Sequence, residues 1–123
     1  MFQGGVGRAA VEFYVSLFDD GAVLDLALYG ADGPGPEGTI MRGTFRIAGQ
    51  EFFVSDSFVD HAFAFTPSLS IWIEAETADA QAALVDALAD GGGTLMPLDD
   101  YGFSTQFAWV NDRFGVSWQV NLA

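Results

Sequence analysis

Two segments of the chain carry the same helical spacing of apolar residues, and the segments stand 70 positions apart. The spacing is i, i+3, i+4, i+7 and i+8, so each set of residues lies on one helix face. An Asp-Gly pair follows each set, and glycine suits the left-handed residue that ends many helices. We therefore predict helices over residues 7–18 and 78–90, the second capped by Thr77. The two sets are Ala10, Phe13, Tyr14, Leu17 and Phe18, and Ala80, Ala83, Leu84, Ala87 and Leu88.

Outside the predicted helices the apolar period changes to two, which is typical of strands. Each half of the chain is therefore predicted to run β-α-β-β-β within a single domain. We place module one at residues 1–57, a linker at 58–67 and module two at 68–123. The offset puts the start of the first strand upstream of Met1, so we expect that strand to be truncated. The predicted strands cover residues 23–28, 41–47, 51–56, 69–75, 104–110 and 116–122.

The charge of the chain excludes two classes of partner. Seventeen acidic residues against four arginines give a net charge of −13 over 123 residues. Nucleic-acid binders neutralise phosphates with Lys and Arg, so we expect no nucleic-acid partner, and the same charge disfavours anionic membrane surfaces. There is no Cys, which excludes disulfides and thiolate metal sites. No long apolar run or basic leader is present, so we expect a cytoplasmic protein.

Several segments that together span nearly the whole chain carry a family resemblance. They are residues 1–4 (MFQG), 10–14 (AVEFY), 49–52 (GQEF), 95–98 (LMPL) and 109–119 (WVNDRFGVSWQ). With the two βαβββ modules, they resemble the vicinal oxygen chelate superfamily of glyoxalases, bleomycin-resistance proteins and extradiol dioxygenases. Within that superfamily they resemble PhnB-like proteins, whose domain is often labelled a demethylubiquinone methyltransferase. The resemblance implies an α+β fold of the glyoxalase/bleomycin-resistance type.

The resemblance also implies where a metal ion would bind, since metal-using relatives hold one ion with His and Glu from the outer strands of both modules. Two of the four ligand positions fall on Ser70 and Gln119. In the first module, the counterpart of Gln119 falls near Asp56 and the counterpart of Ser70 falls before Met1. A divalent ion needs three or more imidazole or carboxylate donors. We therefore expect neither a metal nor another cofactor.

The same positions predict a ligand-binding cleft. We expect Asp56, Ser70, Trp72 and Gln119 to line it, with a polar floor and an aromatic wall. Arg42 shares a strand face with Arg46, four residues away. Two interpretations of this pair stay open: the guanidinium groups bind a ligand carboxylate or phosphate, or they pair with surface acids. Trp72 is otherwise an ordinary core aromatic residue.

Two further features have a functional and a structural interpretation. His61 is the single histidine, a residue type that serves as a general base or a metal ligand. One neighbouring Asp makes no triad, so packing among phenylalanines is the simpler hypothesis. The glycines at positions 4, 5 and 7 resemble a phosphate-binding loop. They lack the preceding strand and the third correctly spaced glycine, so a turn is the simpler account.

These observations favour a metal-free small-molecule-binding protein. The alternative is a small enzyme, a lyase, an isomerase or the methyltransferase of the family label, acting in the same cleft. Binding is favoured because the predicted cleft lacks two suitably spaced titratable groups. A truncated edge strand leaves backbone groups unpaired, so we also expect a homodimer, with Phe2 and Phe103 exposed at its interface.

Overall fold

The same sequence of elements occurs twice in the computed structural model, which describes residues 1–123. The chain divides into two compact units, residues 1–62 and residues 63–123. Neither helix has the length and apolar character needed to cross a bilayer. The first unit contains β1 (Phe2–Gln3), α1 (Gly7–Ser16), β2 (Ala22–Leu28), β3 (Ile40–Ile47), β4 (Gln50–Val54) and β5 (Asp56–Ser57). The second contains β6 (Ile71–Glu74), α2 (Ala78–Ala89), β7 (Gly93–Asp99), β8 (Gln106–Asn111) and β9 (Ser117–Leu122).

Strand order is the same in both units. In the second unit the order is β6-β9-β8-β7, with β6 parallel to β9 and the other pairs antiparallel. In the first unit β2, β3 and β4 form an antiparallel sheet, and β1 pairs in parallel with β5. Since Ser55 alone separates β4 from β5, the two act as one interrupted strand. Each unit is therefore βαβββ, and the α+β fold predicted from the sequence is confirmed.

The repeat offset in the structure is 71 residues rather than 70. The two helices begin 71 positions apart, and β7 begins and ends 71 positions after β2. The buried residues of α2 are consequently Gln81, Val85 and Leu88, while Ala80 and Ala83 of the predicted stripe are exposed. That part of the prediction is wrong because α2 is rich in alanine. Two neighbouring faces of the helix therefore show similar apolar spacing, and the pattern does not distinguish which of them is buried. The polar Gln81 is buried because its amide donates to the Gln106 and Val120 carbonyls, at 3.0 and 3.1 Å.

Aromatic packing on α1 forms the core of the first unit. The ring of Tyr14 lies 6.5 Å from Phe2 and 6.2 Å from Phe45, centroid to centroid. Phe45 in turn stacks on Phe52 at 5.3 Å. Phe2 is only 6% exposed, which contradicts its expected place at a dimer interface. A short β1 still buries its one large side chain because that face lies against the helix.

The turn between β3 and β4 is fixed by a distant carboxylate. Ala48 and Gly49 both have positive φ, 48° and 74°, as a two-residue type I′ hairpin requires. Their amides donate to the two Asp20 oxygens at 2.8 and 2.7 Å. The Gly49 hydrogen bond, followed by the Ala48 bond and the nearby Arg46, lowers the pKa of Asp20. The carboxylate therefore stabilises the turn most strongly when it is ionised.

The two glycines expected to end the helices differ. Gly91 has φ of +75°, so the left-handed residue predicted after α2 is confirmed. Gly21 does not adopt that conformation; there a Cβ would collide with the Val15 carbonyl oxygen. Close backbone approach, rather than handedness, therefore requires glycine at position 21.

Candidate functional site

One face of the second sheet is covered by α2, and the other face carries the candidate site. The helix-facing residues Ala108, Val110 and Val120 have no exposed surface. Because successive side chains alternate between faces, the strand register brings the intervening residues together on the opposite side. We call this the α2-distal face, defined by Ser70, Trp72, Glu74, Phe107, Trp109, Ser117, Gln119 and Asn121.

A neutral polar network joins the two ends of this face. The Gln119 Nε2 donates to Ser70 Oγ at 3.1 Å, and the two hydroxyls of Ser70 and Ser117 lie 2.7 Å apart. The indole N–H of Trp109 donates to Ser117 Oγ at 2.8 Å. The structure thus brings together Ser70 and Gln119, which the sequence placed in one cleft. Ser117 and Trp109 were not predicted as site residues, although strand alternation puts Ser117 on the same face as Gln119.

A second cluster on the same face centres on a carboxylate. Glu74 accepts the indole N–H of Trp72 at 2.8 Å and the amide of Asn121 at 3.1 Å. Trp72 lies opposite Gln119 in the strand register, so the two clusters adjoin. Sequence reasoning proposed Trp72 and missed Glu74 as a site residue. The available signal was their two-residue separation, which places them on one face of β6.

Aromatic rings form the apolar part of the α2-distal face. Phe107 is 3% exposed because three rings surround it. The centroids of Trp72, Phe103 and Tyr101 lie 5.8, 5.0 and 6.1 Å from that of Phe107. Trp72 remains 43% and Phe103 59% exposed, so the cluster presents an aromatic surface beside Glu74.

Asp56 serves the fold of the first unit. Its residue is 6% exposed, and its two oxygens accept the amides of Gly7 at 2.9 Å and Ile40 at 2.7 Å. The α1 helix has no side-chain cap of its own and no acid in its first turn. Asp56 supplies both from 49 positions along the chain. The hydrogen bond from Gly7 to Asp56 occupies the first amide of α1. That amide is therefore not free to bind a phosphate, which supports the interpretation of the preceding glycines as a turn.

The strand register also corrects which residue of the first unit is the counterpart of Gln119. Phe2 pairs with Asp56, and Ile73, its counterpart 71 positions on, pairs with Val120. Asp56 is therefore equivalent to Val120, and Ser55 is equivalent to Gln119. A shift of one residue along a strand turns the side chain to the opposite face. Asp56 accordingly lies on the helix-facing side of its sheet.

The residues at the family's metal positions do not fit a divalent ion. Ser70 and Gln119 are neutral and hydrogen-bond to each other, while the Asp56 oxygens are bonded to backbone amides. No group of three His, Asp or Glu side chains lies close enough together to hold a metal. Such a site needs several anionic or imidazole donors that converge on one point.

The two arginines on β3, Arg42 and Arg46, differ in their contacts. Arg46 donates from Nε to the Asp20 carbonyl at 3.2 Å and lies 3.9 Å from its carboxylate, as the surface-pairing hypothesis predicts. Arg42 is exposed and forms no such bond. It belongs to the first unit, whereas Ser70, Trp72 and Gln119 belong to the second. The expected cleft joining all these residues stays a prediction.

His61 joins the segment after β5 to the first strand. Its Nε2 lies 2.8 Å from Ser57 Oγ, and its backbone N–H donates to Gln3 Oε1 at 2.9 Å. These contacts connect β1, β5 and the following segment, and packing of His61 among phenylalanines stays a prediction.

The two-unit architecture defines the class of the protein, and the sequence then gives the family. The fold is that of glyoxalase/bleomycin-resistance proteins: one from Albidiferax ferrireducens T118 superposes with a TM-score of 0.61 at 16% identity, covering 100% of this chain and 94% of that one. Residues 1–121 match the model of the 3-demethylubiquinone-9 3-methyltransferase family, and the chain belongs to that family.

Two solved structures lie nearer in sequence. A PhnB protein from Bacillus cereus is 45% identical, with a TM-score of 0.95 and coverage of 100% of this chain and 95% of that one. Protein PA1353 from Pseudomonas aeruginosa is 26% identical, with a TM-score of 0.82 and coverage of 99% and 96%. No curated protein matches the sequence.

Proposed function

We propose that this protein binds a small organic molecule on the α2-distal face and does so without a metal ion. The observation that carries the proposal is the hydrogen bond between Ser70 and Gln119, the residues at the family's metal positions, beside the exposed indole of Trp72. A hydroxyl and an amide give directional hydrogen bonds, and an aromatic wall gives apolar contact. Asp56 is not part of this proposed site, and Arg42 stays a predicted contact.

Binding is favoured over catalysis by the chemistry of the polar network. Ser70, Ser117, Gln119 and Trp109 contain no group that titrates near neutral pH, so the network has no general acid or base. The adjacent Glu74 already accepts two side-chain hydrogen bonds. The alternative, a lyase, isomerase or methyltransferase, is supported by the family description and would use the same face.

The test is a thermal-shift screen of neutral aromatic amides and alcohols, carried out in a chelator, followed by calorimetric titration of the compounds that stabilise the protein. Trp72→Ala should weaken the binding of those compounds about fivefold, since an aromatic contact contributes about 1 kcal/mol. Phe53→Ala is the matched control, because Phe53 is 84% exposed and lies in the first unit. Equal affinity in the two variants, or binding that requires added zinc, would contradict the proposal.

We also propose that the protein forms a homodimer. The edge strand β2 supports this, because Val23, Leu24, Leu26 and Leu28 are each more than a third exposed. An apolar edge strand is a surface that commonly pairs with another chain. Sedimentation at micromolar concentration should give twice the 13.1 kDa chain mass. A monomer there would contradict the dimer and leave the small-molecule proposal unaffected.

A further inference from the structure

We infer that the ligand of the α2-distal face is a protonated amine with an aromatic or apolar body, and that Glu74 and Trp72 recognise it. This inference rests on the proposed function and adds the chemical class of the ligand. It is carried by the fixed position of one carboxylate, by an amide oxygen that lacks a partner, by the charge of the second unit and by the neighbouring rings.

The Glu74 carboxylate is held in place without being neutralised. Its two partners, the Trp72 indole and the Asn121 amide, are uncharged donors, and no arginine pairs with it. The residue itself remains exposed. A carboxylate oriented in this way forms its strongest additional hydrogen bond with a charged donor.

Asn121 behind Glu74 has an unused acceptor. The residue is 6% exposed, and its Nδ2 donates to Glu74 while its Oδ1 has no hydrogen-bond partner. A buried oxygen without a donor costs free energy. The oxygen is itself buried, so an ammonium group bound to Glu74 supplies it with a donor through a bridging water molecule.

The charge of the second unit disfavours an anionic ligand on this face. Residues 63–123 contain eight acidic residues and one arginine. That arginine, Arg113, lies in the β8–β9 connection and pairs with Asp90 at 3.3 Å. The second unit has no other cation to bind a carboxylate or phosphate, whereas its eight acidic residues attract a cation.

The rings beside Glu74 match the rest of such a ligand. Trp72 is fixed by its hydrogen bond to Glu74, and its ring packs 5.8 Å from Phe107. An indole face attracts a cation within about 6 Å, and the exposed Phe103 offers an edge for an apolar body. Carboxylate and aromatic surface together therefore select an aryl-alkyl ammonium group.

The experiment compares three probes of similar shape: 2-phenylethylammonium, 2-phenylethanol and phenylacetate. Each is titrated into the whole protein at pH 7 and low salt, with binding followed by tryptophan fluorescence and by amide shifts in NMR spectra. The variants are Glu74→Gln and, as the matched control, Glu76→Gln. Glu74→Gln removes the charge but keeps the shape and the Oε1 atom, which lies within hydrogen-bonding distance of both the Trp72 indole and the Asn121 amide. Glu76 is exposed and lies just beyond β6.

We expect the ammonium probe to bind about tenfold more tightly than the alcohol and the anion to bind most weakly. Glu74→Gln should remove this preference, and Glu76→Gln should keep it. The inference is overturned, with the proposed function intact, if the alcohol or phenylacetate binds this face as well as the amine or if Glu74→Gln retains the preference. Absence of binding by all three probes overturns the inference, and failure of the neutral-compound screen then counts separately against the proposed function.

Discussion

Replacing Asp56 with alanine should destabilise the first unit strongly, because two elements depend on that one carboxylate. The substitution leaves the amides of Gly7 and Ile40 buried without acceptors. Each orphaned buried donor costs about 1–3 kcal/mol, and the lost anion at the start of α1 adds about 0.5 kcal/mol. The expected total is about 2.5–6.5 kcal/mol, a large share of the roughly 5–15 kcal/mol that stabilises a typical domain.

Urea unfolding followed by circular dichroism measures this loss. With a slope of about 2 kcal/mol per molar urea, the midpoint should fall by about 1–3 M. Asp60→Ala is the matched control, since Asp60 is exposed and forms no side-chain hydrogen bond. Asp56→Asn should also be destabilised, because its amide presents a donor to one of the two N–H groups. If Asp56→Ala unfolds at the same urea concentration as Asp60→Ala, the capping role assigned to Asp56 is refuted.

Three further substitutions test other parts of the fold. Gly7→Ala should destabilise the protein by about 2 kcal/mol in urea unfolding, although alanine favours helices, because its Cβ would lie 2.7 Å from both Asp56 oxygens. The control Gly30→Ala, whose Cβ would lie in open space, should leave the stability unchanged. Asp20→Asn should lower the melting temperature at pH 7. Because the folded pKa of Asp20 is lowered, its stabilisation is present above the ordinary aspartate range and is lost as pH falls through the folded pKa; a difference that grows in acid contradicts this. Gln81→Ala should cost about 2–4 kcal/mol by losing two hydrogen bonds and buried volume, whereas the exposed Gln50→Ala should cost less than about 0.5 kcal/mol.

The repeated architecture was predictable because local patterns determine it. Apolar period, a capping threonine and turn residues placed both helices within a few residues of their observed bounds. Thr77 accepts the Ala80 amide at 3.1 Å, and the hairpin lies at Ala48-Gly49. The helix cap and the turn residues are local features, which a single chain displays directly; the Asp20 carboxylate that also holds the hairpin turn lies 28 and 29 positions from Ala48 and Gly49.

The candidate site was predicted in part, because strand register depends on distant contacts. Ser70 and Gln119 were placed together correctly, yet Asp56 was assigned one residue away from the true counterpart of Gln119. A one-residue difference in strand position is invisible in an alternating pattern and reverses the face. Gln81 was missed for a related reason: a buried amide is stabilised by carbonyl partners 25 and 39 positions away. Glu74 acquires its significance from Asn121, 47 positions along the chain.

The most direct test of metal-free binding on the α2-distal face is an NMR titration that follows the three tryptophan indole N–H signals. Trp72 and Trp109 lie on that face and donate to Glu74 and Ser117. Trp118 is fully buried and donates to Asp112, so it serves as an internal reference. In chelator, a stabilising compound should shift the Trp72 and Trp109 signals to saturation together with the Gln119 side-chain amide, and should leave Trp118 unchanged. A compound that binds without moving Trp72 or Gln119, or that moves them only when a divalent metal is added, would contradict the account.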